Sequence, residues 1–103
     1  MKIFISVPTN GRTDSEIQSM LNEATRDIKG RIGRFDKDIS FVLSCTKPAR
    51  EGAINPAIYQ LHCSLDLMAD SDIAYFCPGW QNNLDCCVEQ AIAVYYGLRC
   101  IYG

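Results

Sequence analysis

The chain is organised around residues 72–89, DIAYFCPGWQNNLDCCVE. They begin with a short apolar run, residues 73–77, that is typical of a buried strand. A Pro-Gly pair breaks this run, and a helix is predicted to begin near Asn83. A strand, a break and a helix start place loop residues at the carboxyl end of a sheet strand, where open α/β sheets bind ligands. Glu89, in the first turns of that helix, is therefore the carboxylate to examine for chemistry.

Strands and helices alternate on both sides of this stretch. Thr13 and Glu16 follow the capping-box pattern, which predicts that a helix begins there and ends at Gly30 or Gly33. A second helix is predicted from Asn55 as the cap and Pro56 as its first residue. The remaining predicted elements are strands at 2–7, 38–45 and 98–102 and a third helix over 84–96, stopped by Gly97.

The resulting order, βαβαβαβ, predicts a parallel sheet with right-handed crossovers. We expect one α/β domain over residues 1–103, a three-layer, flavodoxin-like fold with helices on both faces of the sheet. If the chain is doubly wound, the strand order is 2-1-3-4 and the switch point lies between strands 1 and 3. The loops at 8–12 and 78–85 are then expected to face one crevice.

The net charge and the lengths of the apolar runs argue against some classes of partner. The net charge of −2 gives no electrostatic reason to expect a nucleic acid polymer or an anionic membrane as partner. No apolar run approaches the roughly 20 residues that a membrane span needs. Met1-Lys2 leads directly into a strand pattern without a signal peptide, so the cytoplasm is the expected location.

Six cysteines are many for 103 residues, and most of them fall inside apolar periodic segments. No CxxC pair exists and His62 is the only histidine, so no metal site is predicted, and no other cofactor. We expect reduced, mostly buried thiols. The vicinal pair Cys86-Cys87 leaves a redox role as the alternative.

Two short motifs resemble those of the nucleoside 2-deoxyribosyltransferase-like family, which includes the 2′-deoxynucleoside 5′-phosphate N-hydrolases and a group of short bacterial and phage domains. Residues 5–11 read I-S-V-P-T-N-G, matching I-S-x-P-x-x-G of the short group, and residues 78–80 read P-G-W after the third strand. A glutamate, Glu89, follows in the next helix. The resemblance covers essentially the whole chain.

The resemblance implies a function and a site. Glu89 falls on the family's catalytic carboxylate, which attacks the anomeric carbon, displaces the nucleobase and forms a glycosyl ester that water or a second base resolves. A nucleoside or nucleotide is the implied ligand, and a homodimer or higher homo-oligomer the implied assembly. The implied substrate-binding residues are Ser6, Pro8, Thr9, Asn10, Gly11, Arg12, Gly79, Trp80, Asn83 and Asp85.

Two positions depart from the family pattern and favour an alternative. Ser64 stands where the family has an aspartate, and Asp66, two residues on, is rotated by roughly 200° around a helix. Asp85 replaces a glycine, and its charge would repel a 5′-phosphate. The alternative function is a non-catalytic module of the same fold that binds, and so sequesters, a signal nucleotide.

Several side chains have two interpretations from sequence alone. Trp80 is either a platform for base stacking or part of a dimer interface. Arg12 and Arg50 either bind a phosphate or are simply solvated. The pair Tyr95-Tyr96 suggests packing against a partner. A pure interaction protein, the third hypothesis, would bury both tyrosines and Trp80 against a partner and would have no crevice.

Overall fold

A computed structural model describes residues 1–33, 38–43 and 51–103. Its four strands form one parallel sheet in the order β2-β1-β3-β4, which confirms the predicted α/β fold and strand order. The elements are β1 (Lys2–Ser6), α1 (Asp14–Ile32), β2 (Ser40–Leu43), α2 (Pro56–Ala69), β3 (Ile73–Phe76), α3 (Leu84–Tyr95) and β4 (Arg99–Tyr102).

Helix boundaries follow the local signals in the sequence. Thr13 and Glu16 form the predicted capping box, and α1 ends at Gly33 rather than at Gly30. The Asn55 side chain accepts a hydrogen bond from the third residue beyond it, as a helix cap does.

The strands are shorter than predicted. β1, β3 and β4 are each one residue shorter than their apolar runs, and β2 begins two residues later. The end predicted for the second strand, at residues 44–45, lies outside the described residues, as does Arg50. A turn of 3-10 helix, Trp80–Asn82, occupies part of the predicted 78–85 loop.

The sheet separates two apolar clusters, because successive side chains of a strand point to opposite faces. We call these faces the α1 face and the α2/α3 face, after the helices that cover them. The buried cluster on the α1 face consists of Ile3, Ile5, Val7, Ala24, Ile28, Ile32, Ile73, Tyr75, Cys77 and Ile101. The cluster on the α2/α3 face consists of Phe4, Met68, Ala74, Phe76 and Ala93.

No helix in the described ranges is both long and apolar enough to cross a lipid bilayer.

Candidate functional site

Glu89 reaches the carboxyl end of β1 from helix α3. The inward stripe of α3 is formed by Cys86, Glu89 and Ala93, at spacings of three and four residues. Ala93 packs into the apolar cluster of the α2/α3 face, so Glu89, one turn earlier, is carried to the end of the sheet. There its Oε1 accepts a 2.8 Å hydrogen bond from the hydroxyl of Ser6, the last residue of β1.

Burial changes the acidity of this carboxyl group. The side chain of Glu89 is only 2% exposed. Loss of hydration raises its pKa to about 7, against an ordinary value of 4.5. The Ser6 hydroxyl opposes this change because it stabilises the carboxylate, whereas the negative charge of Asp85 adds to it. Near neutral pH the group is therefore present both as carboxylate and as carboxylic acid.

A thiol lies beside the same serine. The Ser6 hydroxyl, which donates to Glu89, also acts to lower the pKa of the Cys86 thiol. Burial raises the pKa of Cys86 to about 11 and that of Cys77, at the end of β3, to about 12. Both groups therefore stay protonated at neutral pH. Cys86 was not a predicted site residue, although its spacing of three from Glu89 places both on one face of the helix.

No disulfide joins the described cysteines, and two of these five thiols are buried, whereas the sequence predicted that most would be. Cys77 and Cys86 are buried, and Cys63, Cys87 and Cys100 are half-buried. The thiol of Cys87 lies near the backbone carbonyl oxygens of Trp80, at 3.6 Å, and Gln81, at 3.4 Å. Within the described residues, no cluster of three or more histidine, cysteine, aspartate or glutamate side chains forms a metal site.

The loops after β1 and β3 meet, as predicted for a switch point between these strands. Asn83 Nδ2 donates a 2.7 Å hydrogen bond to Asn10 Oδ1. The Oδ1 atom of Asn83 caps α3 by accepting from the amide of Cys86. One buried amide thus joins the first loop to the helix that carries Glu89.

The loop after β1 is a tight turn. The Arg12 amide donates to the carbonyl oxygen of Thr9 at 3.2 Å, and Gly11 has a φ of 71°, which L side chains rarely adopt. Pro8, which precedes the turn, is fully buried. The predicted residues 8–12 are therefore a defined turn at the end of β1.

Arg12 and Gly79 belong to a different surface from Glu89. Gly79 has a φ of 90°, and a Cβ atom there would lie 3.3 Å from the Arg12 guanidinium. Both residues line a cavity of about 540 Å³ on the α1 face, together with Glu23 and Asp27. The predicted binding residues therefore divide between two surfaces, with Ser6 and Glu89 on the α2/α3 face.

A partly buried polar pair that the sequence did not reveal borders this cavity. Tyr75 donates a 2.6 Å hydrogen bond to Asp27 Oδ2. This bond lowers the pKa of Asp27, and burial raises the pKa of Tyr75 well above its ordinary value. The two residues are 48 positions apart in the chain, so no local pattern links them.

Trp80 packs within its own chain. Its ring centroid lies 5.7 Å from that of Phe76 and 5.6 Å from that of Tyr102. Tyr95 and Tyr96 are exposed and form an edge-to-face pair with centroids 5.0 Å apart. Trp80 therefore contacts aromatic side chains of its own chain, whereas Tyr95 and Tyr96 lie at the surface.

The structure describes all three residues that concern the departures from the family pattern, Ser64, Asp66 and Asp85. Ser64 is buried and Asp66 is exposed, so a shift of two residues does move the side chain to another side of α2. Asp85 is exposed in the first turn of α3. The described structure therefore places no carboxylate on α2 at the buried position where the resemblance implies one.

Comparison of the chain with protein-family models, curated proteins and solved structures gave no match.

Proposed function

We propose that this protein binds a nucleoside or nucleotide and cleaves or transfers at its N-glycosidic bond, with Glu89 as nucleophile. The observation that carries the proposal is the buried Glu89 carboxyl group, held by Ser6 at the carboxyl end of β1. Ligands of open α/β sheets bind at this edge, next to the switch point. The substrate class comes from the resemblance of residues 5–11 and 78–80 to the nucleoside 2-deoxyribosyltransferase-like family.

The reaction requires the ionised form of Glu89. A carboxylate oxygen forms a bond to the anomeric carbon while the bond from that carbon to the base nitrogen breaks. The base leaves with the electron pair of that bond and takes up a proton. Water then attacks the anomeric carbon of the glycosyl ester. This step releases the sugar and regenerates the carboxylate. A pKa of about 7 leaves a large fraction of Glu89 ionised at neutral pH while keeping it a good nucleophile.

A second candidate is a binding module that does not turn over its ligand. It is favoured by the buried hydroxyl of Ser64 at the position where the resemblance implies a carboxylic acid. A departing base needs a proton, and a serine hydroxyl is a poor acid. In this module the protonated form of Glu89 would donate a hydrogen bond to the ligand. Self-association through the exposed Tyr95 and Tyr96 is part of both candidates, since exposed aromatic side chains are typical of interfaces.

Release of free base distinguishes the two candidates. The protein is incubated with 2′-deoxynucleosides and their 5′-monophosphates, and free base is measured by chromatography. We expect release by the wild-type protein and a loss of about 10³-fold or more in Glu89→Gln, which removes the nucleophile but keeps its shape. The matched control is Glu23→Gln, the same change on the α1 face, which should retain activity.

Two results would contradict the enzymatic proposal. Release that persists in Glu89→Gln would remove Glu89 from the role of nucleophile. Ligand binding by calorimetry with no release of base, in both the wild-type protein and Glu89→Gln, would establish the binding module instead.

A further inference from the structure

Ser6 is completely buried, its hydroxyl group donates to Glu89, and the same hydroxyl acts to lower the pKa of Cys86. We propose that Ser6 is a positioning residue for Glu89, whose hydroxyl, together with the Cys86 thiol, keeps the carboxyl group hydrogen-bonded in both of its protonation states. The catalytic consequence of this arrangement rests on the function proposed above, whereas the arrangement itself does not.

A serine hydroxyl suits this position because it carries one proton and two acceptor lone pairs. When Glu89 is ionised, the Ser6 hydroxyl donates to Oε1, as the 2.8 Å bond shows. When Glu89 is protonated, its own O–H can donate to Ser6, and the Ser6 proton turns toward the Cys86 sulfur. In both arrangements the buried groups remain paired, so neither state carries the cost of an unsatisfied polar atom.

The hydrogen bond to Ser6 also distinguishes the two carboxyl oxygens. Ser6 bonds to Oε1, and in the described part of the chain no fully buried side-chain oxygen lacks a partner. The small exposed fraction of Glu89 therefore includes Oε2. Oε2 is the oxygen that can reach an anomeric carbon, while Oε1 stays bonded to Ser6 and receives charge when the ester is hydrolysed.

Few other groups act on this pair among the described residues. Asp85, on the same helix, is the charged side chain that raises the pKa of Glu89. The nearby thiols are Cys86 on α3 and Cys77 at the end of β3, which interact with each other and are both protonated at neutral pH. Ser6 is thus the neutral group that favours the ionised form of Glu89.

Carbon-13 NMR of the carboxyl groups tests this role without any substrate. The chain has four glutamates, so a protein labelled at glutamate Cδ gives four signals, and Glu89→Gln identifies the signal of Glu89. In Ser6→Ala we expect the pKa of Glu89 to rise further, with an ionised fraction about tenfold lower at pH 6. Ser6→Cys, a weaker donor of similar shape, should fall between Ser6→Ala and the wild type.

The matched control is Ser71→Ala, which removes a hydroxyl that bonds to the Leu67 carbonyl oxygen beyond the end of α2. Its Glu89 signal should titrate as in the wild type. An unchanged titration of Glu89 in both Ser6 variants would overturn the proposal.

Base release gives a second readout that separates this proposal from the enzymatic one. If the protein is an enzyme, the rising limb of its pH–rate profile should move to higher pH in Ser6→Ala, together with the NMR titration. A shifted NMR titration in a protein that releases no base would support the role of Ser6 and reject the enzymatic function. A shifted titration without the accompanying move of the pH–rate limb would overturn the catalytic consequence.

Discussion

The Glu89 carboxyl group makes the fold sensitive to pH. The folded protein binds the Glu89 proton more tightly than the unfolded chain, because burial raises the pKa of this group from 4.5 to about 7. Between these two pH values the folded state holds more protons, so the free energy of unfolding falls as pH rises. Above pH 7 both states are ionised and the dependence ends. Glu89 thus costs stability in the ionised form that the proposed reaction uses.

Glu89→Gln should remove this cost. Its effect on the free energy of unfolding should be more favourable at pH 8 than at pH 4, by about 3 kcal/mol, since each pKa unit corresponds to about 1.4 kcal/mol. Urea unfolding at the two pH values measures the difference. Glu23→Gln, an exposed substitution of the same kind, serves as the control, and an equal pH response in both variants would contradict the prediction.

At the scale of single residues, sequence could single out Glu89 as a candidate but could not predict its environment. The resemblance pointed to Glu89, and its helical spacing to Ala93 accounts for its burial. Its partner Ser6 is 83 positions away, and only the sheet and α3 together bring the two side chains into contact. Long-range pairs of this kind have no local signal, which also explains why the bond between Tyr75 and Asp27 was not predicted.

At the scale of secondary structure, the start of α3 is held by one amide. Asn83 caps the helix through Oδ1 and bonds to the turn after β1 through Nδ2. Asn83 is 8% exposed; its capping bond is buried, and its bond to Asn10 is partly buried. The position of Glu89, two turns into the helix, therefore depends on a contact between two separate loops.

Asn83→Ala should lower the free energy of unfolding by about 1–2 kcal/mol, the usual cost of losing a helix cap. Asn83→Ser keeps a capping oxygen but lacks the donor to Asn10, so it should recover most of this loss. Asn55→Ala, at the exposed cap of α2, is the matched control and should cost no more than Asn83→Ala. Urea unfolding measures all three, and equal losses in Asn83→Ala and Asn83→Ser would contradict the role of the cap.

Helix starts were easier to predict than strand ends. The capping patterns at Thr13 and Asn55 act within four residues, so the sequence contains them completely. A strand ends where its neighbour stops pairing, and Val7 and Cys77 continue apolar runs beyond that point. The 3-10 turn at Trp80–Asn82 was not predicted, because the Pro and Gly of this segment indicated only a loop.

At the scale of the whole molecule, the alternation of strands and helices predicted a parallel sheet, and a doubly wound chain then implied the observed strand order. β1 and β3 pair on both sides, whereas β2 and β4 are edge strands. The two central strands also supply buried side chains to both apolar clusters. The predicted substrate-binding residues were harder to place, because residues of one loop can face opposite sides of a sheet, as Asn10 and Arg12 do.

Native-state hydrogen exchange should be slower in the central strands of the sheet than in its edge strands. We expect the slowest amides in Ile3–Ser6 and Ile73–Phe76, since their exposure requires separation of the central strands and hence global unfolding. Amides of Ser40–Leu43, on an edge strand with half-exposed side chains, should exchange faster. Protection of β2 equal to that of β1 would show that the edge opens only with the whole domain.

The aromatic packing around Trp80 makes its fluorescence a probe of this part of the protein. It is the one tryptophan in the chain, so all indole fluorescence arises from the turn that follows β3. Its ring lies against Phe76 and Tyr102, and the Tyr102 hydroxyl accepts a hydrogen bond from Gln90, the residue after Glu89. Trp80 is thus linked through Tyr102 to the helix that carries Glu89, and we expect its emission to change when a ligand binds at the proposed site.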